Sequence, residues 1–332
     1  MSDARGGDQA VERPSGPRGP SGPSGPSEPS GPSGPSEPSG PRRSNPVEDL
    51  LELVRAPAAL SVPGDILCGA AAAGVPHSPR TAVLAGSAVC LYWAGMALND
   101  FADRDVDAVE RPERPIPSGR VRPATALAVA SGLTGAGLTL AAAGGGRRAL
   151  AFAVPLAAAI WGYDLVLKAT PTGPAAMATC RGLDVMLGAS TGRPGSALPA
   201  ALAVGTHTYA VTLLSRSEVG GGTSRQVKGA AAVGGLAVPV VVAQIVAGRR
   251  GGGAGAAAGL LGRYVVSVGG AQLAAARRPS AERVRHAVGA GILGLIPLQA
   301  SLTAARGRPV TALALAAAHP LARRLTRKVS AT

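Results

Sequence analysis

Hydrophobic and polar positions do not alternate along this chain; they segregate into long blocks. Thr81 to Leu98 is uncharged over 18 positions, and Pro123 to Gly146, Pro194 to Ser215 and Gly229 to Gly248 are uncharged as well. A helix needs about 20 apolar residues to cross the hydrocarbon of a bilayer. Repeated blocks of this size predict an all-α membrane protein, a bundle of about nine transmembrane helices. The expected spans are Val47 to Gly74, Thr81 to Leu98, Pro123 to Gly146, Ala149 to Tyr163, Gly173 to Thr191, Pro194 to Ser215, Gly229 to Gly248, Ala254 to Ala276 and Ala287 to Ala305. Arg55 and Asp65 fall in the first, Arg181 and Asp184 in the fifth, and Arg263 interrupts the eighth. Pro309 to Ala322 is too short to span comfortably and is expected along the interface.

Residues 1–45 have another character, rich in Pro, Ser and Gly. Their triplet period suggests collagen, but Glu28 and Glu37 occupy positions where a triple helix admits only Gly. A disordered tail rich in polyproline II is expected, followed by a membrane domain over residues 46–325. The start of the chain lacks the apolar core of a signal peptide.

Charge refines this picture. The net charge is +14, and Lys168, Lys228 and Lys328 are the only lysines among 33 basic residues. That bias, with abundant Ala and Gly, suggests a GC-rich and bacterial genome. The arginines cluster at the ends of apolar blocks, which implies membrane lipids as partners and no nucleic acid. Thirteen basic residues fall in the even-numbered connections and six in the odd-numbered ones. The positive-inside rule therefore puts the tail and the even connections in the cytoplasm. Cys68, Cys90 and Cys180 are isolated and have no metal or redox spacing.

One stretch resists the membrane explanation: NDFADRDVDAVERPERPIPSGR, residues 99–120. If the second helix continues past Leu98, Asp100, Asp103 and Asp107 share an arc of roughly 60° at about 100° per residue, with Asn99 close beside it. Like charges this close repel unless a cation intervenes. Mg²⁺ typically takes one or two carboxylates plus substrate phosphates. A ligand with a phosphate head and an apolar tail suits such a site at a membrane surface. Arg111 and Arg114 can add charge-assisted hydrogen bonds to phosphate, and Pro112, Pro115 and Pro117 end the helix. An acidic loop balanced by its own arginines is the plainer alternative.

NDFADRDVD matches the NDxxDxxxD signature of the UbiA-type intramembrane prenyltransferases, and RPERPIPSGRV resembles the segment that follows it there. The resemblance covers roughly residues 46–305. RAPAALSVPGDILCG and YDLVLKATPTGPAAMATCRGLDVMLGAS are similar to a UbiA-like subgroup found beside ebo-type biosynthetic clusters. The resemblance implies nine transmembrane helices, a prenyl diphosphate held through Mg²⁺, and transfer of the prenyl group to an acceptor. It implies Asn99, Asp100, Asp103 and Asp107 as metal ligands and Lys168 as a diphosphate ligand, with Asp100, Asp103, Asp107 and Lys168 carrying the catalysis; an ordinary positive-inside anchor is the alternative for Lys168. Tyr163 would position substrate or serve as an interfacial anchor. Arg181 and Asp184 would pair with each other or line the cavity, with Asp184 near the acceptor. His207 reads as a hydrogen-bonded packing residue.

The sixth connection departs from the family pattern. Family members carry a second aspartate-rich motif there, whereas SRSEVGGGTSRQVK keeps only Glu218, after Ser215, Arg216 and Ser217. Either Glu218, as a metal ligand, and Arg216 complete the diphosphate site, or activity is altered. A membrane protein that binds a lipid diphosphate, or assists export, without transferring is the alternative. Trp93, Phe101, Trp161 and Tyr163 are the aromatics placed to face an allylic cation.

Overall fold

A computed structural model describes residues 45–76, 78–218, 223–248 and 252–329. The expected disordered tail lies outside these residues, apart from Asn45. Everything described is helix, turn or loop, with no strand among the described residues. Proline occupies the first turn of most helices, where its missing N–H costs nothing.

The first expected span is not one helix. It divides into α1 (Pro46–Leu53), a 3₁₀ turn (Ala56–Ser61) and α2 (Val62–Ala72). Glu48 and Glu52 are exposed on α1, while Asp49 is buried. Arg120 clamps the helix through Asp49 at 2.5 Å and Glu52 at 2.7 Å. The hydrogen bonds to Glu52, more than those to Asp49, push the Arg120 pKa up against the effect of burial. Arg55, between the two pieces, has left-handed backbone angles (φ 46°, ψ 51°), a costly state for a residue with a Cβ.

α3 spans Pro79–Ala102, and α4 covers Arg104–Glu110. α5 runs from Pro123 to Gly162 but is not straight, because Gly146 has φ 62° and ψ −148°. Trp161 Nε1 donates to Thr134 Oγ1 at 3.1 Å, across 27 residues. In a continuous helix those residues would stand roughly 40 Å apart. The chain therefore reverses at Gly146, and the expected third and fourth helices are the two arms of α5. A π turn, Tyr163–Leu167, follows the second arm.

The remaining helices are α6 (Gly173–Ala189), α7 (Leu198–Ser215), α8 (Ser224–Gly235), α9 (Ala237–Ala247), α10 (Ala254–Tyr264), α11 (Gly270–Arg277), α12 (Ala281–Ala305) and α13 (Pro309–Val329). In the eighth expected span Arg263 lies within α10, and a π turn at Val265–Gly269 joins it to α11. α13 is longer than expected and packs on α12. Five segments are long and apolar enough to cross a membrane: Pro79–Ala102, Pro123–Leu167, Pro194–Ser215, Ser224–Ala247 and Ala281–Ala305. Length and apolarity alone thus give fewer crossings than the nine expected. α12 is the central post, with 78% of its apolar window buried against 22% for Pro123–Leu167.

Small residues set the helix spacing, as is usual where lipid gives no hydrophobic drive between helices. A Cβ at Gly69 would strike the Val185 carbonyl, and one at Gly188 would strike the Ile66 backbone. This reciprocal contact presses α2 onto α6 and brings Asp65 to Arg181.

Candidate active site

The acidic stretch folds nearly as its spacing predicts. α3 ends at Ala102, and Asp103 (φ −91°, ψ 2°) makes a joint before α4, so the stripe is not one continuous helix. Backbone bonds still cross the joint, Asp103 N to Asn99 O at 2.9 Å and Asp107 N to Asp103 O at 2.8 Å. Asp100 and Asp107 therefore remain on one side. Both are buried, and Arg114 Nη1 reaches both, at 3.4 Å from Asp100 Oδ1 and 2.5 Å from Asp107 Oδ2. Arg55 Nη2, on the residue with left-handed backbone angles, donates to Asp100 Oδ1 at 2.6 Å. Arg111 stands 3.8 Å from Asp107.

Asp103 turns to a different partner. Its carboxylate lies 2.5 Å from Lys168 Nζ, at the far end of the π turn. The Asn99 side-chain nitrogen donates to Asp164 Oδ1 at 3.2 Å. Asp164 is a buried carboxylate that sequence reasoning passed over. A signal was present: it lies one turn before Lys168, in an otherwise apolar run. Asn99, Asp100, Asp103, Asp107, Arg114 and Lys168 are thus gathered at one end of the bundle, joined by Arg55 and Asp164. Phe101 is taken up by Arg104, whose guanidinium sits 5.0 Å above the ring, and Trp161 by its bond to Thr134.

Other candidates are placed differently. Tyr163 is half-buried, within electrostatic range of Asp164, Arg216 and Asp103. Arg216 donates to the carbonyls of Lys168 and Thr170, so it latches the sixth connection onto the fourth. Glu218 is partly buried near Arg285 and Arg111; burial raises its pKa while both arginines oppose the rise. Arg181 does not pair with Asp184. Its Nη2 lies 2.7 Å from Asp65 Oδ2, and Gln299 Nε2 donates to Asp65 Oδ1 at 2.7 Å. Asp184 is buried beside them, and its Oδ1 has no hydrogen-bond partner. His207 is a satisfied packing residue, bonded to Tyr264 Oη at 2.9 Å and Gly291 O at 3.0 Å.

Among the described residues, no three acidic, His or Cys side chains converge to hold a cation by themselves. The donors are nevertheless hard oxygens facing basic groups, which suits a Mg²⁺ that draws its remaining ligands from phosphate.

An apolar helical bundle with a charged site at one end defines a polytopic membrane protein. The chain belongs to the UbiA prenyltransferase family, whose model matches residues 63–276. It is 38% identical over 156 residues to a digeranylgeranylglyceryl phosphate synthase of Methanopyrus kandleri, across 45% of this chain and 55% of that one. The chain matches only 30% to 55% of the length of the first such relatives. Its fold resembles a solved structure of a digeranylgeranylglyceryl phosphate synthase (TM-score 0.62, 15% identity, 79% of this chain and 99% of that one). It also resembles a UbiA homolog from Archaeoglobus fulgidus bound to DMAPP and Mg²⁺ (TM-score 0.51, 14% identity, 60% of this chain and 78% of that one).

Proposed function

We propose that this chain is a Mg²⁺-dependent prenyltransferase that moves a prenyl group from a prenyl diphosphate to an acceptor at the Asp100 end of the bundle. The observation that carries this reading is the pairing of Asp100, Asp103 and Asp107 with Arg55, Arg114 and Lys168. A diphosphate bridged by a cation needs both halves of such a set. Family membership and the Mg²⁺ in the Archaeoglobus homolog support it.

The proposal includes nine crossings: the five long apolar segments, with Pro123–Leu167 counted twice, plus α2, α6 and α10 with α11. The charged end faces the cytoplasm, where the basic connections concentrate.

Asn99, Asp100, Asp103 and Asp107 would hold Mg²⁺, with Glu218 approaching from the sixth connection. The ion would neutralise the leaving diphosphate as the allylic C–O bond breaks. Arg114, Arg111 and Lys168 then exchange carboxylate partners for phosphate oxygens. Arg216 holds the Lys168 carbonyl, and with it the connection that carries the lysine. Tyr163 borders the prenyl group, which lies among the helices away from water. Asp184 meets the acceptor, where its unpartnered Oδ1 offers a hydrogen-bond acceptor, and Arg181 borders that place while held on Asp65. The names of the relatives favour a glyceryl phosphate type of acceptor.

The test is consumption of geranyl and geranylgeranyl diphosphate by the reconstituted protein, with and without Mg²⁺, across glyceryl phosphate, phenolic and lipid alcohol acceptors. Mg²⁺-dependent transfer that vanishes in an Asp100→Asn, Asp103→Asn variant is expected. Binding of the diphosphate without consumption would favour the non-transferring protein instead.

A further inference from the structure

One cavity lies away from the carboxylate site. It is a groove of about 750 Å³ between α8–α9 and the π turn with α11. Its walls are apolar, including Val238, Val265 and Val266, and a π turn in a helix wall is a frequent mark of function. Two polar groups break the apolar lining. Lys228 stands at one end, and Gln272 is 5% exposed with a buried Nε2 that has no hydrogen-bond partner. An orphaned buried amide is destabilising unless something accepts from it.

Arg225 and Arg277 lie on the same two helices, toward the same end. Neither they nor Lys228 make an ion pair among the described residues. That end is the one bearing the carboxylate site, because α7 finishes there with Arg216 on the Lys168 carbonyl and α8 follows after a short connection. From Lys228 to Val238 a helix rises about 15 Å, which is roughly half the hydrocarbon thickness of a bilayer. The groove is therefore cationic at the membrane surface, carries one hydrogen-bond donor just inside, and is apolar to the midplane.

We propose that this groove binds one anionic phospholipid of the leaflet next to the charged end. Its phosphate lies among Lys228, Arg225 and Arg277, an ester carbonyl accepts from Gln272 Nε2, and an acyl chain runs past Val238 and Val266. Tyr264 forms part of the wall while its hydroxyl bonds His207 in the interior. An occupied groove thus braces α10 against α7.

The test is native mass spectrometry of the full chain in neutral detergent, with phosphatidylglycerol and phosphatidylcholine of identical tails. One phosphatidylglycerol should be held at least about tenfold more tightly than phosphatidylcholine, at about a fivefold contribution per nearby cation. Lys228→Ala and Arg277→Ala, both at exposed positions, should each cost phosphatidylglycerol about fivefold and phosphatidylcholine less, because its choline offsets the phosphate charge. Gln272→Leu should weaken both lipids, because both carry the ester. Arg283→Ala, on α12 outside the groove, should change nothing. Equal retention of the two lipids, or indifference to Lys228→Ala, would overturn the proposal. So would one-for-one displacement by geranyl diphosphate with Mg²⁺, which would make the groove a substrate passage. Lipid retention is read without turnover, so the result stands whether or not prenyl transfer is found.

Discussion

Two acid–base clusters in this protein use the same chemistry to different ends. At the end of α3, Asp100 and Asp107 share Arg114, while Arg55, Arg111 and Lys168 stand around them. Between α2 and α6, Asp65 is fixed by Arg181 on one oxygen and Gln299 on the other, with 0% exposure. The outer bases are partly exposed and sit on turns and connections, so they can exchange one anion for another. The inner pair is set by glycine contacts between helices and cannot rearrange without moving backbone. The same charge pairing thus serves as an exchangeable docking site in one place and as a fixed joint in the other.

The difference can be broken most severely from the inside. Asp65→Ala leaves Arg181 charged and buried without its partner, which should cost about 3–5 kcal/mol. Thermal unfolding in detergent measures this, and adding Arg181→Leu should recover most of the loss if the pair is structural. Asp100→Asn should act in the opposite sense. It should reduce prenyl transfer at least about 100-fold while changing stability by about 1 kcal/mol or less, since Arg55 and Arg114 keep access to water. A collapse of stability on Asp100→Asn would erase the distinction.

Lys168→Met should raise KM for the prenyl diphosphate about tenfold through the loss of one charged contact. Lys168→Arg should restore most of that, whereas a purely topological lysine would leave KM unmoved. The smallest effect belongs to Glu218. Burial raises its carboxyl pKa in the folded protein, so ionising it works against folding. The stability it contributes is intact below the ordinary value of 4.5 and is lost as pH rises through the raised folded value. Glu218→Gln should therefore unfold at neutral pH no earlier than the parent, with the advantage fading toward pH 4. Transfer should fall only several-fold if Glu218 is an auxiliary ligand.

Much of this was legible in the sequence because membranes enforce simple rules. Uncharged blocks became helices, and the aspartate spacing placed Asp100 and Asp107 on one side. His207 sat where a packing residue belongs. What escaped depended on contacts between distant parts of the chain. Nothing local pairs Arg55 with Asp100 across 45 positions, or Arg120 with Asp49 across 71. Arg181 and Asp184 looked like partners at helical spacing, but the glycine contact between α2 and α6 supplied Asp65 instead. The first span breaks because Glu48 and Glu52 stay exposed on α1 and Asp49 is held by the distant Arg120, a contact that local apolarity does not reveal. Asp164 was overlooked because a lone carboxylate in a greasy run carries no motif.

The turn at Gly146 decides geography for half the protein. Were α5 a single rod, its 40 residues would extend about 60 Å, twice the greasy layer, and Lys168 would emerge far from Asp103. One position without a side chain returns the polypeptide to the face it left, so that the lysine and the aspartate meet. Any bulkier residue there would contest that homecoming, and the catalytic rim would lose one of its shores.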